Sequence, residues 1–162
     1  MAITILAVDD DRSFRGILGS LLSQDSGVDL IGEAENGEEA VRVSRELQPD
    51  VVLMDITMPR VNGFDATRKI KSDRPETKVI MLTIYSNDYY ERVAIESGAD
   101  GFIPKKRLSS ELLPAIRGLM EPSKTQSSNN NQHGDSVLPS DRGEDLEKDT
   151  LPINVIQRET IG

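Results

Sequence analysis

Five residues of this chain could do chemistry together. Asp9 and Asp10 close an apolar run, Ile3–Val8, and Asp55 closes a second, Val51–Met54. Thr83 closes a third, Val79–Leu82, and Lys105 follows a fourth, Gly101–Ile103. Short apolar runs rich in β-branched residues read as buried strands. In a parallel sheet the strand ends on one edge converge, so these side chains would meet at one point. Three converging carboxylates repel: at an effective dielectric of about 20, each pair about 4 Å apart costs roughly 4 kcal/mol. A cation among them offsets that cost; otherwise the acids hold protons at raised pKa.

Mg²⁺ prefers near-octahedral oxygen coordination, takes one or two carboxylates and keeps its waters. Asp10 and Asp55 are therefore expected as direct ligands, with Asp9 oriented through water. A carboxylate beside such a cation can also attack phosphorus and form an aspartyl phosphate. Mg²⁺ and the Lys105 ammonium would offset charge on the transferred oxygens. The Thr83 hydroxyl can donate to one of them, and closing that bond would move its loop. Singly, each feature has an ordinary explanation. Asp9-Asp10-Asp11 makes a solvated turn, Asp55 a strand-end cap, Thr83 a common strand residue, and Lys105-Lys106-Arg107 a solvated basic turn. The joint placement at the ends of strands one, three, four and five carries the argument.

The elements that must position these groups alternate strictly. Ile3–Val8 is a strand. Arg12–Ser23 has Phe14, Ile17, Leu18, Leu21 and Leu22 on one helical face. Val28–Ala34 is a second strand. Asn36 caps the next helix, with Glu39 as its reciprocal partner, and Pro49 enforces its exit. Val51–Asp55 is the most apolar strand and should be central. Residues 62–72 are helical, and Lys78–Thr83 is the fourth strand. Asp88 with Glu91 forms a capping-box pattern before a helix that runs to Ser97, which Gly98 ends. Gly101–Ile103 is a short fifth strand, and residues 109–120 form a last amphipathic helix. Five βα units of this kind predict a doubly wound five-stranded parallel sheet, an α/β fold. In such sheets function gathers at the carboxyl ends of the strands, where strand order reverses.

Composition divides the 162 residues in two: residues 1–120 hold 51 of 59 apolar residues and all six aromatics. Residues 121–162 hold eight apolar residues among clusters of Ser, Asn, Asp and Gly, too few to fold a core, so a disordered tail is expected. Residues 1–120 carry 15 Lys and Arg against 20 Asp and Glu, and the tail carries four against eight. Neither part has the basic footprint of a nucleic-acid binder. With no cysteine, neither disulfides nor thiolate metal sites are available. No apolar run approaches the roughly 18 residues of a membrane span, and no basic region opens the chain, so a cytoplasmic location is expected.

The chain resembles the receiver domain of two-component response regulators. The resemblance rests on Val8-Asp9-Asp10, on Met54-Asp55-Ile56-Thr57-Met58-Pro59 with Gly63, on Met81-Leu82-Thr83, and on Ser97-Gly98-Ala99-Asp100-Gly101-Phe102 leading to Lys105. It spans about residues 1–120, and Gly101-Phe102-Ile103-Pro104-Lys105 is most similar to the LuxR-type subfamily. It implies a flavodoxin-like fold in which Asp55 accepts a phosphoryl group from a sensor histidine kinase. Asp9, Asp10, Asp55 and the Thr57 backbone carbonyl would hold Mg²⁺. Thr83 and Lys105 would bind the phosphoryl group, and Phe102 stands where the family has its switch aromatic. The implied outcome is a conformational switch read through protein contacts with a downstream effector, relay to a histidine phosphotransfer protein, or a phosphorylation-dependent homodimer. Two departures stand out. Ile84 follows Thr83 where most receivers carry a small residue, which could restrict small phosphodonors. Thr57 occupies a position that in the family tunes phosphoryl lifetime.

LuxR-type receivers usually precede a helix-turn-helix domain, and residues 121–162 lack the amphipathic helices for one, so a single-domain regulator is expected. His133 lies in a polar stretch and suggests no ligand role. Leu151–Ile156 is the one apolar patch of the tail. Three rivals are weaker. A haloacid-dehalogenase-like phosphatase would use Asp9 as nucleophile and needs paired acids on a later strand, whereas Asp55 stands alone. A phosphorylation-independent interaction module would not need all five site residues. A DNA-binding regulator conflicts with the acidic balance.

Overall fold

The computed structural model describes residues 1–85 and 87–122. The expectations for the tail, for His133 and for Leu151–Ile156 fall on residues 123–162, outside the described residues.

The expected alternation is present: β1 (Ile3–Val8), α1 (Arg12–Leu22), β2 (Val28–Ala34), α2 (Gly37–Leu47), β3 (Val51–Asp55), α3 (Gly63–Asp73), β4 (Lys78–Thr83), α4 (Asp88–Ser97), β5 (Gly101–Pro104) and α5 (Leu108–Met120). A short 3₁₀ turn, Lys105–Arg107, joins β5 to α5. The five strands form one parallel sheet in the order β2-β1-β3-β4-β5, with β3 at its centre. Strand order reverses between β1 and β3, so a crevice opens at their carboxyl ends.

Alternation along each strand divides the core between the two faces. Leu6, Val8, Val52, Met54, Val79 and Met81 face α2, α3 and α4, where Ala40, Val41, Ala66, Ile70 and Ala94 meet them. Ile5, Ala7, Val51, Leu53, Ile80 and Leu82 face α1 and α5, where Leu18, Leu22, Leu112 and Ile116 meet them. Leu53 is fully buried on this second face. Burying one side chain of that size stabilises the fold by about 1.5–3 kcal/mol, so the central strand anchors Asp55 firmly.

Helix caps fix where each loop ends. Asp11 caps α1, accepting from the Ser13 and Phe14 amides at 2.8 and 3.4 Å. Asn36 caps α2 through the Glu39 amide at 2.9 Å, but the reciprocal Glu39 carboxylate accepts from the Glu35 amide, one residue outside the cap. The α4 cap is Asn87, not Asp88: Asn87 has extended backbone (φ −126°, ψ 159°) and accepts from the Tyr90 amide, while Asp88 is already helical. Two glycines meet backbone demands that other residues could not. Gly98 ends α4 in the left-handed region at φ 95°. A Cβ on Gly63 would lie 2.1 Å from the Asp55 carbonyl oxygen, so only glycine lets α3 start beneath the loop that follows β3.

Candidate functional site

Asp9, Asp10 and Asp55 meet at the carboxyl ends of β1 and β3. Each offers a carboxylate oxygen within 4.8 Å of the others. Asp9 and Asp55 are 1 % and 5 % exposed, whereas Asp10 faces solvent. Lys105, on the 3₁₀ turn after β5, reaches into this cluster. Its Nζ lies 2.6 Å from Asp9 Oδ2 and 3.1 Å from Asp55 Oδ1. It also sits 3.9 Å from the centre of the Phe14 ring, which covers the ammonium from the side of α1. Lys105 is thus drawn inward, while Lys106 and Arg107 are exposed as a solvated turn would be.

Burial pushes the Asp55 carboxyl up, and the neighbouring Asp9 charge adds to it; Lys105 opposes both, and the balance lies at about 6. Burial alone would lower the Lys105 pKa, but its bonds to Asp9 and Asp55 outweigh that and raise it. Two of the three acids therefore share one ammonium, and the third, Asp10, lies beside them. The donor set is all oxygen and lies at a partly solvated edge, which suits a hard divalent cation that keeps some of its waters. Asp9 already spends its oxygens on Lys105 and on the Asp11 amide (2.9 Å). Asp10 has no such side-chain bond among the described residues and is free to take a cation.

Thr83 is buried at the end of β4, its hydroxyl oxygen accepting from the Tyr85 amide at 2.9 Å. It pairs in register with Pro104, the residue before Lys105. Phe102 is half-buried and packs against the α2–α4 face of the core. Thr57 is exposed on the loop after β3. Ile84 is 71 % exposed, so its side chain stands in solvent. Tyr85 and Tyr89 beside it are exposed as well, and the Tyr85 ring stacks on Tyr90 at 4.8 Å. A depression of about 380 Å³, lined by Asp10, Glu35, Asn36, Pro59 and Arg60, adjoins the carboxylates on the α2 side.

Two residues of the site were not apparent from the sequence. Phe14 reads there as a core residue of α1, and its contact with Lys105, 91 positions away, leaves no local signal. Arg15 reads as a solvated helix charge, yet its side chain is only 12 % exposed and bonds to the Asp9 carbonyl oxygen. Among the described residues no helix is long and apolar enough to cross a membrane.

Comparison with known proteins gives this arrangement a family. Residues 5–117 match the response regulator receiver domain. The chain is 40 % identical to the response regulator protein VraR of Staphylococcus saprophyticus over 117 residues, 72 % of this chain and 56 % of that protein. It is 36 % identical to the response regulator GacA of Pseudomonas aeruginosa over 115 residues, 71 % of this chain and 54 % of that one. The chain therefore matches little more than half the length of these curated relatives. Among solved structures it resembles the response regulator domain of Thermotoga maritima CheB, with a TM-score of 0.70 and 33 % identity over 75 % of this chain and all of that one. A LuxR-family two-component response regulator from Aurantimonas superposes with a TM-score of 0.70 at 31 % identity, over 74 % of this chain and 85 % of that one. The chain belongs to the response regulator receiver family of two-component signalling systems, with relatives of the LuxR type.

Proposed function

We propose that this receiver accepts a phosphoryl group on Asp55 from a sensor histidine kinase, with Asp9, Asp10, Asp55 and the Thr57 carbonyl holding Mg²⁺. One observation carries the reading: three acids and one lysine are gathered at the strand ends, with more negative charge than the protein itself neutralises. Bound Mg²⁺ would supply positive charge for the transferred phosphoryl oxygens.

The residues divide the remaining work. An Asp55 carboxylate oxygen forms the new bond to phosphorus as the bond to the donor's imidazole nitrogen breaks. A pKa of about 6 leaves Asp55 ionised at neutral pH while making it more basic than an ordinary aspartate. Lys105 turns its ammonium toward the incoming oxygens, with the Phe14 ring supporting it. The Thr83 hydroxyl turns to donate to another oxygen, and because its own oxygen is the acceptor of the Tyr85 amide, the loop after β4 is drawn inward with it. That movement makes room for Phe102 and alters the face formed by β5, α4 and α5. The exposed Ile84, Tyr85 and Tyr89 lie beside that face and offer apolar contact to an effector, a phosphotransfer protein or a second copy of the chain.

The test is phosphoryl transfer read by intact mass. The wild type gains one phosphoryl group with Mg²⁺ and phosphoramidate or a phosphorylated kinase, and Asp55→Asn gains none. Labelling by a kinase but not by phosphoramidate assigns a screening role to Ile84. No label from any donor overturns the reading and favours a phosphorylation-independent interaction module.

A further inference from the structure

Asp9 and Asp10 are consecutive, and consecutive side chains of an extended chain point to opposite sides. Their carboxylates reach the same point, within 4.8 Å of each other and of Asp55, and the backbone bends at Asp10, directly after the peptide that joins them. The Asp9 carbonyl belongs to that peptide, so whatever holds the carbonyl sets the angle between the two carboxylates. No side-chain bond among the described residues holds the exposed Asp10 carboxylate itself. Its direction is set by the backbone and by its own rotamer.

Arg15 holds that carbonyl. Its Nη1 donates to Asp9 O at 2.7 Å, and its Nε donates to Glu33 Oε2 at 2.7 Å. Glu33 is the penultimate residue of β2, and the Asp9 amide donates to Ala34 O, at the end of the same strand, at 3.1 Å. Asp9 is therefore tied to the end of β2 on both sides: directly through its N–H, and through Arg15 and Glu33 at its C=O. The planar guanidinium can make both bonds at once, whereas an ammonium offers no such fork.

We propose that Arg15 is a positioning residue for the divalent-cation site: clamped by Glu33, it fixes the Asp9–Asp10 peptide so that both carboxylates converge with Asp55. The inference rests on the metal-dependent reading above and adds a residue to it. Its sign distinguishes it from plain electrostatics. A cation this close repels Mg²⁺, so if charge were its only effect, removing it would tighten Mg²⁺ binding. If Arg15 positions the ligands, removing it weakens binding, and outer partners of metal ligands typically account for about 10–100-fold in affinity.

The experiment measures Mg²⁺ affinity by titration calorimetry on the full chain, with thermal stability in EDTA as a parallel readout. Arg15→Gln is expected to weaken Mg²⁺ binding about tenfold. Arg15→Lys, which keeps the charge but loses the fork, should fall between it and the wild type, and it decides the matter if the glutamine variant does not fold. Unchanged or tighter Mg²⁺ binding in the folded variants overturns the inference, whatever happens to stability. Failure of the wild type to bind Mg²⁺ overturns the metal site itself, a result distinct from normal binding by both variants.

Discussion

The two edges of the sheet carry acids in very different company. At the amino edge, Asp50 accepts from the Thr4 amide and hydroxyl at 2.9 and 2.8 Å. Asp100 accepts from Lys71 and from the Val79 amide, both at 2.9 Å, and has Lys78 at 3.7 Å. These acids pin the entries to β3 and β5, and their lone pairs are well supplied with donors. At the carboxyl edge, Asp9 and Asp55 share the ammonium of Lys105, and the neighbouring Asp10 has no side-chain bond among the described residues. The same residue type closes the fold at one edge and opposes it at the other. Burial and donor supply together distinguish the two edges: Asp50 and Asp100 are partly exposed and well supplied with donors, whereas Asp9 and Asp55 are buried around one ammonium.

Substitutions should expose that contrast, the largest where backbone is crowded. Gly63→Ala drives a Cβ into the Asp55 carbonyl oxygen and should cost about 3 kcal/mol, seen as a lower urea midpoint. Lys71→Met leaves Asp100 short of a cation at a site that is 16 % exposed, and should cost about 1–3 kcal/mol, measured the same way. At the carboxyl edge the dependence on pH has the opposite sense from a stabilising carboxylate. Asp55 binds its proton more tightly folded (about 6) than unfolded (3.8). Its contribution to stability is therefore complete below about pH 4 and is lost as pH rises through 6, a decline on the order of 3 kcal/mol. Denaturation in EDTA between pH 4 and 8 should show that decline in the wild type and lose it in Asp55→Asn. The proton and Mg²⁺ compete for Asp55, so Mg²⁺ affinity should fall as pH drops below 6. The smallest effect belongs to the exposed Arg42–Glu46 pair at 2.9 Å, where Glu46→Gln should change stability by less than about 0.5 kcal/mol.

The fold was legible because periodicity marks it: each strand is a short apolar run, and the caps at Asn36 and Gly98 announce helix ends. Asp9, Asp10, Asp55, Thr83 and Lys105 were legible as candidates for the same reason, since each stands at or just beyond the end of a strand. What escaped depends on where helices pack. Phe14 under Lys105 and Arg15 on the Asp9 carbonyl follow from the seating of α1 on the sheet, and no spacing encodes it. The pairing of Lys71 with Asp100 was equally hidden, because it joins the end of α3 to the loop before β5. The shift of the α4 cap from Asp88 to Asn87 is of a different kind: both residue types cap well, and the backbone angles decide between them.

The contrast between the two edges is tested most directly by neutralising one acid at each. Asp55→Asn and Asp100→Asn are unfolded with urea at pH 7.5, in EDTA and in saturating Mg²⁺. In EDTA, Asp55→Asn should be more stable than the wild type and Asp100→Asn less stable, with Mg²⁺ raising the stability of the wild type and of Asp100→Asn far more than that of Asp55→Asn. Equal destabilisation by both substitutions, or an equal response to Mg²⁺ in all three proteins, would contradict it.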